Sequence, residues 1–222
     1  MSFKATTLFS LIIAASLALL PLTAIRAASQ DYDVEIVVYA SLSADDGAEQ
    51  WPTPKAFPAT EQALDLGEGG TRLLTGGARN LQAIADTMRR SSLYRPLLHW
   101  RWRQPGWERS QAKAIHVQIP AGSGLPLTEV AVGTSKFLLQ QLKSNLDAGI
   151  TGASGQPLLD GTLTLTRSRY LHMAVDLIYI DPNTGSALQL KESRRMRSGE
   201  LHYLDQPRFG ALVQVTPVVV AQ

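Results

Sequence analysis

The stretch DGTLTLTRSRYLHMAVDLIYI (160–180), then DPNTG (181–185), then SALQLKESRRMRSGELHYLDQPRFGALVQVTP (186–217), decides the fold. From Thr162 to Thr166 polar and apolar residues alternate, the period of a strand with one buried face. Beyond Arg167 the alternation resumes. Leu171, Met173, Val175, Leu177 and Tyr179 fall on odd positions, and Tyr170, His172 and Asp176 on even ones. Asp181-Pro182-Asn183-Thr184-Gly185 then reverses the chain: proline presets φ, Asp and Asn bond back to their own backbone, and glycine accepts positive φ. The returning strand carries Leu188, Leu190 and Met196 on even positions and Gln189, Lys191, Ser193, Arg195 and Arg197 on odd ones.

Paired residues share a face, and a slip of one residue flips the whole strand. Only pairings with an odd index sum set Leu188, Leu190 and Met196 beside Leu171, Met173 and Leu177. With Ile180 opposite Ala187, Asp176 meets Lys191, His172 meets Arg195 and Tyr170 meets Arg197. The greasy side is expected to lie under a helix, and the other side to face outward as a row of cations among aromatic and hydroxyl groups.

Outward from this hairpin, YDVEIVVYAS (32–41) reads as a first strand with apolar residues on both faces, placing it inside a sheet. Residues 42–78 read as a long irregular connection rich in Gly, Pro and acids, which Trp51 and Phe57 are expected to pin down. Residues 78–91 carry Leu81, Ile84, Ala85 and Met88 at helical spacing, with Asn80 or Thr75 as expected caps and Arg89 and Arg90 at the end where the dipole favours cations. LLHWRWRQ (97–104) is a second strand, and AKAIHVQI (112–119) is expected as its hairpin partner. Residues 120–159 are poorly defined, with a short helix expected at 134–146, and 209–220 reads as a last strand closed by Pro217. The whole fits one α+β domain, 28–222, mainly antiparallel sheet with one or two helices packed on one face.

Residues 1–27 read as a cleaved secretory signal: Lys4, then the apolar run LFSLIIAASLALL (8–20), then small residues around Ala27. That run is shorter than the roughly 20 residues needed to span a bilayer. The expectation is an exported, periplasmic chain with no membrane anchor. Without Lys4 and Arg26 the Lys+Arg count drops from 21 to 19, equal to the 19 Asp+Glu, so the nominal charge of +2 gives no footprint for nucleic acid. The absence of Cys removes disulfides, thiolate catalysis and cysteine metal sites together. Charge is nonetheless uneven: residues 31–70 hold nine acids and one base, and residues 71–110 hold eight bases and two acids.

No GxSxG, HExxH or Gly-rich phosphate loop is present. His172 and Asp176 share a strand face roughly 13 Å apart, too far to hold one metal. No metal or cofactor is expected, and no catalysis. Glu192, Glu200 and Asp205 are an acid–base set only if the fold gathers them. The sharpest ligand candidates are Arg194, Arg195 and Arg197, with Arg167 and Arg169, because bidentate arginine suits carboxylates. Tyr170, His172 and Tyr203 complete the candidate binding set, and Trp100 and Trp102 offer further stacking faces. The alternative for these arginines is internal pairing with Glu192, Glu200 and Asp205.

The segments 160–177 and 192–217, together with YDVEIVVYA (32–40), EQWP (49–52) and SSLYRPLLHWRWRQP (91–105), resemble the CsiV-type peptidoglycan-binding proteins of Gram-negative bacteria. The resemblance implies a periplasmic protein that binds the wall polymer and supports wall synthesis and cell shape. It also implies work with an outer-membrane lipoprotein that activates a bifunctional penicillin-binding protein. The segment 120–159 has no clear counterpart, and Gln206 stands where a basic residue is expected. A protein adaptor without glycan contact and a wall-processing hydrolase are the competing readings.

Overall fold

The computed structural model describes residues 30–43, 54, 56–120, 157–182 and 184–219. The leader 1–27, the acidic centre of the 42–78 connection with Trp51, and the helix expected at 134–146 lie outside the described residues.

Strand β1 (Asp31–Ser41) is buried on both sides, Val34, Ile36 and Val38 on one and Glu35, Val37 and Tyr39 on the other. A strand of that kind belongs between two covering layers. It is the middle strand of a five-stranded sheet ordered β2 (Arg72–Leu73), β3 (Tyr94–Pro105), β1, β9 (Phe209–Pro217), β8 (Leu201–Gln206). A second sheet runs β4 (Ile115–Ile119), β5 (Leu159–Arg167), β6 (Leu171–Ile180), β7 (Ala187–Met196). Every ladder is antiparallel. The main core lies between the sheets: Val34, Ile36, Trp102, Phe209 and Val213 from the first meet Leu163, Leu165, Met173, Leu177 and Met196 from the second. The single described helix, α1 (Gln82–Arg90), covers the far side of the first sheet through Leu81 and Ala85 against Val37, Tyr39 and Leu212. This is one α+β domain of open antiparallel sheets.

The expected register is the observed one. β6 and β7 pair from Ile180↔Ala187 to Leu171↔Met196, with Asp176 opposite Lys191 and His172 opposite Arg195. The ladder stops at Met196, so the further pair Tyr170 with Arg197 does not form. The greasy side of this hairpin packs on the first sheet, not on the helix. β1 explains the difference: its two apolar faces put its sheet in the middle, with the hairpin on one side and α1 on the other.

Three other expectations are corrected. β4 is not the hairpin partner of β3; it pairs with β5 in the other sheet. Both edges of β3 are already occupied, by β1 and β2. The chain crosses between sheets at Gly106, where a Cβ would lie 2.7 Å from the Tyr32 ring and 2.8 Å from the Gln30 carbonyl oxygen. The helix also starts later than 78 and takes its cap from neither Asn80 nor Thr75. Its first turn is held instead by the carboxylate of Glu35 on β1, which accepts N–H bonds from Asn80 at 2.8 Å and Leu81 at 3.1 Å. Phe57 is partly exposed and does not anchor the long connection. Leu64 anchors it by a short parallel bridge to Ile115.

The turns at one end of the stack are clasped. Arg208, between β8 and β9, reaches across to Asp181, just after β6, at 2.7 Å. Gln206 is buried, and its Oε1 accepts the backbone N–H of Arg208 at 2.9 Å. A basic side chain there would bury a charge, and the neutral amide does not.

Candidate functional site

β5 and β6 are joined by a three-residue tip, Ser168, Arg169 and Tyr170, closed by the Ser168 N–H donating to the Tyr170 carbonyl at 2.9 Å. Because Arg167 pairs with Leu171 and Leu171 with Met196, the tip and the end of β7 come to the same end of the second sheet. Between them, and bounded by Tyr32 of β1, is an open groove of about 350 Å³ lined by Arg167, Arg169, Tyr170, Met196 and Arg197. Tyr32 lies 138 positions before Tyr170 in the sequence, and only the fold brings it there; no sequence signal marks it.

Tyr170 is the centre of the cluster. The Arg195 guanidinium lies over its ring, 4.7 Å from the centroid, and that of Arg169 lies 5.7 Å away. Such contacts contribute roughly 0.5–1 kcal/mol each at exposed sites. They use the flat face of the guanidinium and leave its in-plane N–H edge for a ligand. The Nε of Arg167 is buried and has no hydrogen-bond partner. Among the described residues, no carboxylate forms an ion pair with Arg167, Arg169 or Arg195. Arg197 is 3.8 Å from Glu200, and both side chains are largely exposed. His172 sits on the outer sheet face beside Arg195 and Thr166.

The arginines of β3 make a useful contrast. Arg101 and Arg103 both close on Asp33, at 3.0 and 2.7 Å. Burial raises the Asp33 carboxyl, but the hydrogen bonds and charges of Arg103 and Arg101 outweigh it and hold the group below its ordinary value. Asp33 of β1 thus pairs with Arg101 and Arg103 of β3, whereas Arg167, Arg169 and Arg195 at the hairpin end have no such partner among the described residues.

The candidate set divides. Tyr170, His172, Arg195 and Arg197 come together with Arg167 and Arg169. Arg194 does not join them: it lies on the opposite face of β7 and bonds Glu192 at 2.5 Å. Tyr203 is on the outer face of the first sheet, on the far side of the stack, where it stacks on Tyr39. Trp102 is fully buried and donates its indole N–H to Gln104, so it offers no stacking face; Trp100 is partly buried against the core. The three acids are not gathered either: Glu192 is paired on the second sheet, while Asp205 belongs to β8 in the first. A Ser-x-x-Lys tetrad, Ser110 to Lys113, runs through an exposed turn rather than along a helix, so its spacing does not bring amine to hydroxyl. Of the histidines, His99 bonds Glu35 at 2.7 Å and His116 bonds Asp160 at 2.8 Å. Among the described residues no group of three His, Asp or Glu is placed to hold a metal, and no helix is long and apolar enough to cross a membrane.

The arrangement can do one thing well, which is to receive anionic groups in an arginine-lined groove with an aromatic floor. A family model described as "Peptidoglycan-binding protein, CsiV" matches residues 8–218. No curated protein and no solved structure matches the chain.

Proposed function

The chain belongs to the CsiV family of peptidoglycan-binding proteins, and from that premise we propose that it holds the wall polymer through the arginine groove around Tyr170, as a non-enzymatic periplasmic protein. The observation that carries this is the set of arginines 167, 169 and 195 without acidic partners among the described residues, set around one exposed ring. Stem peptides of the wall end in carboxylates. A charge-assisted hydrogen bond to such a group contributes roughly 1.5–3 kcal/mol. The polymer repeats its stem peptides, so modest affinity for one gives strong retention on the whole. Export to the periplasm is supported by the apolar leader at 8–20. Support of wall synthesis, with an outer-membrane lipoprotein and the penicillin-binding protein it activates, rests on the resemblance alone.

Sedimentation with purified sacculi tests the proposal. Wild type is expected in the pellet, with retention falling as salt rises. The Arg195→Ala, Arg197→Ala double variant is expected to be retained several-fold less than wild type, and Arg194→Ala to sediment like wild type, because Arg194 faces away. Wild type in the supernatant, or a double variant that sediments like wild type, overturns the assignment. Muropeptide profiles are expected to be unchanged by incubation; new products would make the protein a hydrolase.

A further inference from the structure

The far side of the stack carries a second aromatic feature. Tyr39, Tyr94 and Tyr203 form a row beside α1 on the outer face of the first sheet. Tyr203 and Tyr39 stack with centroids 6.3 Å apart and planes at 18°, and Tyr94 meets Tyr39 edge-on at 5.6 Å. Tyr39 is buried, and the row is locked from below: its hydroxyl lies where a Cβ on Gly210 would be 2.4 Å away. The outer two rings are open, Tyr94 39% and Tyr203 48% exposed, and Leu201, on the same face as Tyr203, is 46% exposed. Asp205 follows two residues on, exposed and close enough to Tyr39 to help push its hydroxyl pKa up, behind burial and Tyr203.

Two open rings beside an exposed leucine make a contiguous patch, and such patches mark interaction sites where single scattered side chains do not. Tyr203 covers only Tyr39 and presents its other face to solvent. We propose that this row is a glycan-stacking platform that takes the N-acetylated sugar backbone of the wall polymer, separately from the arginine groove. Three observations favour a sugar over the other chemistries. The open surfaces are flat tyrosine rings, which suit the C–H face of a pyranose. The carboxylate beside them, Asp205, accepts hydrogen bonds from hydroxyl or acetamido N–H groups and repels the carboxylates of stem peptides. Leu201 supplies an apolar spot for an acetyl methyl. The platform rests on the same reading of the wall polymer as ligand that the arginine groove does, but holds it through different residues.

The test uses two probes on the full-length protein: glycan strands freed of peptide by an amidase, and an N-acetylglucosamine tetramer. Wild type and the Arg195→Ala, Arg197→Ala variant are expected to bind the tetramer, which carries no carboxylate, equally. Tyr203→Ala is expected to bind about tenfold more weakly, while Tyr203→Trp retains binding. Tyr203 lies on an edge strand with one face in solvent, and unchanged thermal unfolding of Tyr203→Ala excludes loss by misfolding. The platform is overturned if wild type ignores both probes, or if Tyr203→Ala binds them as wild type does. Reduced sacculus binding in the arginine variant with intact tetramer binding separates the two sites; tetramer binding lost in the arginine variant rather than in Tyr203→Ala overturns the platform and leaves the groove.

Discussion

Gly161→Ala is expected to lower stability by about 4 kcal/mol or more, placing it in the tail of single substitutions. Gly161 has φ of 150°, and a Cβ built there lies 2.1 Å from the Asp176 carbonyl oxygen and 2.8 Å from the Leu177 Cα. Both are backbone atoms of β6, so no rotamer change relieves the clash. The two strands must separate at the point where Gly161 opposes Leu177 on one side and Val117 on the other. The consequence reaches the groove, because the tip that carries Arg169 and Tyr170 hangs on this ladder. Gly185→Ala is the control. Its φ is also positive, at 70°, but nothing lies within 4 Å of the added atom, so its cost is limited to roughly 1 kcal/mol of backbone strain. Urea unfolding followed by circular dichroism reads both. A Gly161→Ala protein within 1 kcal/mol of wild type, by that estimate of strain, would show that the strands do not approach this closely.

The C-terminal hairpin was legible because period-two patterning over two long strands leaves one parity for burial. The turn DPNTG then fixed the pairing to the residue. What patterning does not carry is which layer the buried face meets. Leu171, Met173 and Leu177 look the same whether a helix or a sheet lies above them. The clue was in β1, where Val37 and Tyr39 on the second face required a cover of their own. The partner of β4 was illegible for a related reason: neighbours in sequence usually pair, and only the occupied edges of β3 forbid it here. The candidate site divided along the same line. Register placed His172 and Arg195 together, since they share one hairpin. Tyr203 belongs to another sheet, and no pattern within β8 states which side of the stack that sheet presents. Arg194 was separable from Arg195 by parity alone.

Glu35→Ala is expected to cost about 3–5 kcal/mol, because it leaves the His99 ring and two backbone N–H groups without their buried acceptor. The Glu35 carboxylate is 3% exposed as a residue and makes three hydrogen bonds, accepting from His99 Nε2 at 2.7 Å and from the backbone of Asn80 and Leu81. It therefore ties together β1, β3 and the first turn of α1, a helix end that has no side-chain cap of its own. Burial by itself raises this carboxyl, but His99 and the two backbone N–H groups outweigh burial and hold it below its ordinary value of 4.5. The sign of the pH dependence follows. A carboxyl with a depressed native pKa contributes fully above its unfolded value and loses that contribution as pH falls through the lowered native one. Asp33, depressed by Arg103 and Arg101, acts in the same direction. Glu35→Gln keeps an oxygen acceptor and loses the charge, so it should sit between wild type and Glu35→Ala at neutral pH. The gap between wild type and Glu35→Gln should narrow below pH 4.5, because only wild type has a proton to gain there. A gap that stays constant on acidification would mean that the charge of Glu35 contributes nothing and that the acceptor geometry alone holds the helix. Hydrogen exchange of the α1 amides adds a local readout: their protection should fall in Glu35→Ala before that of the β5–β6 ladder, since the carboxylate pins the helix to the first sheet and makes no hydrogen bond to the second.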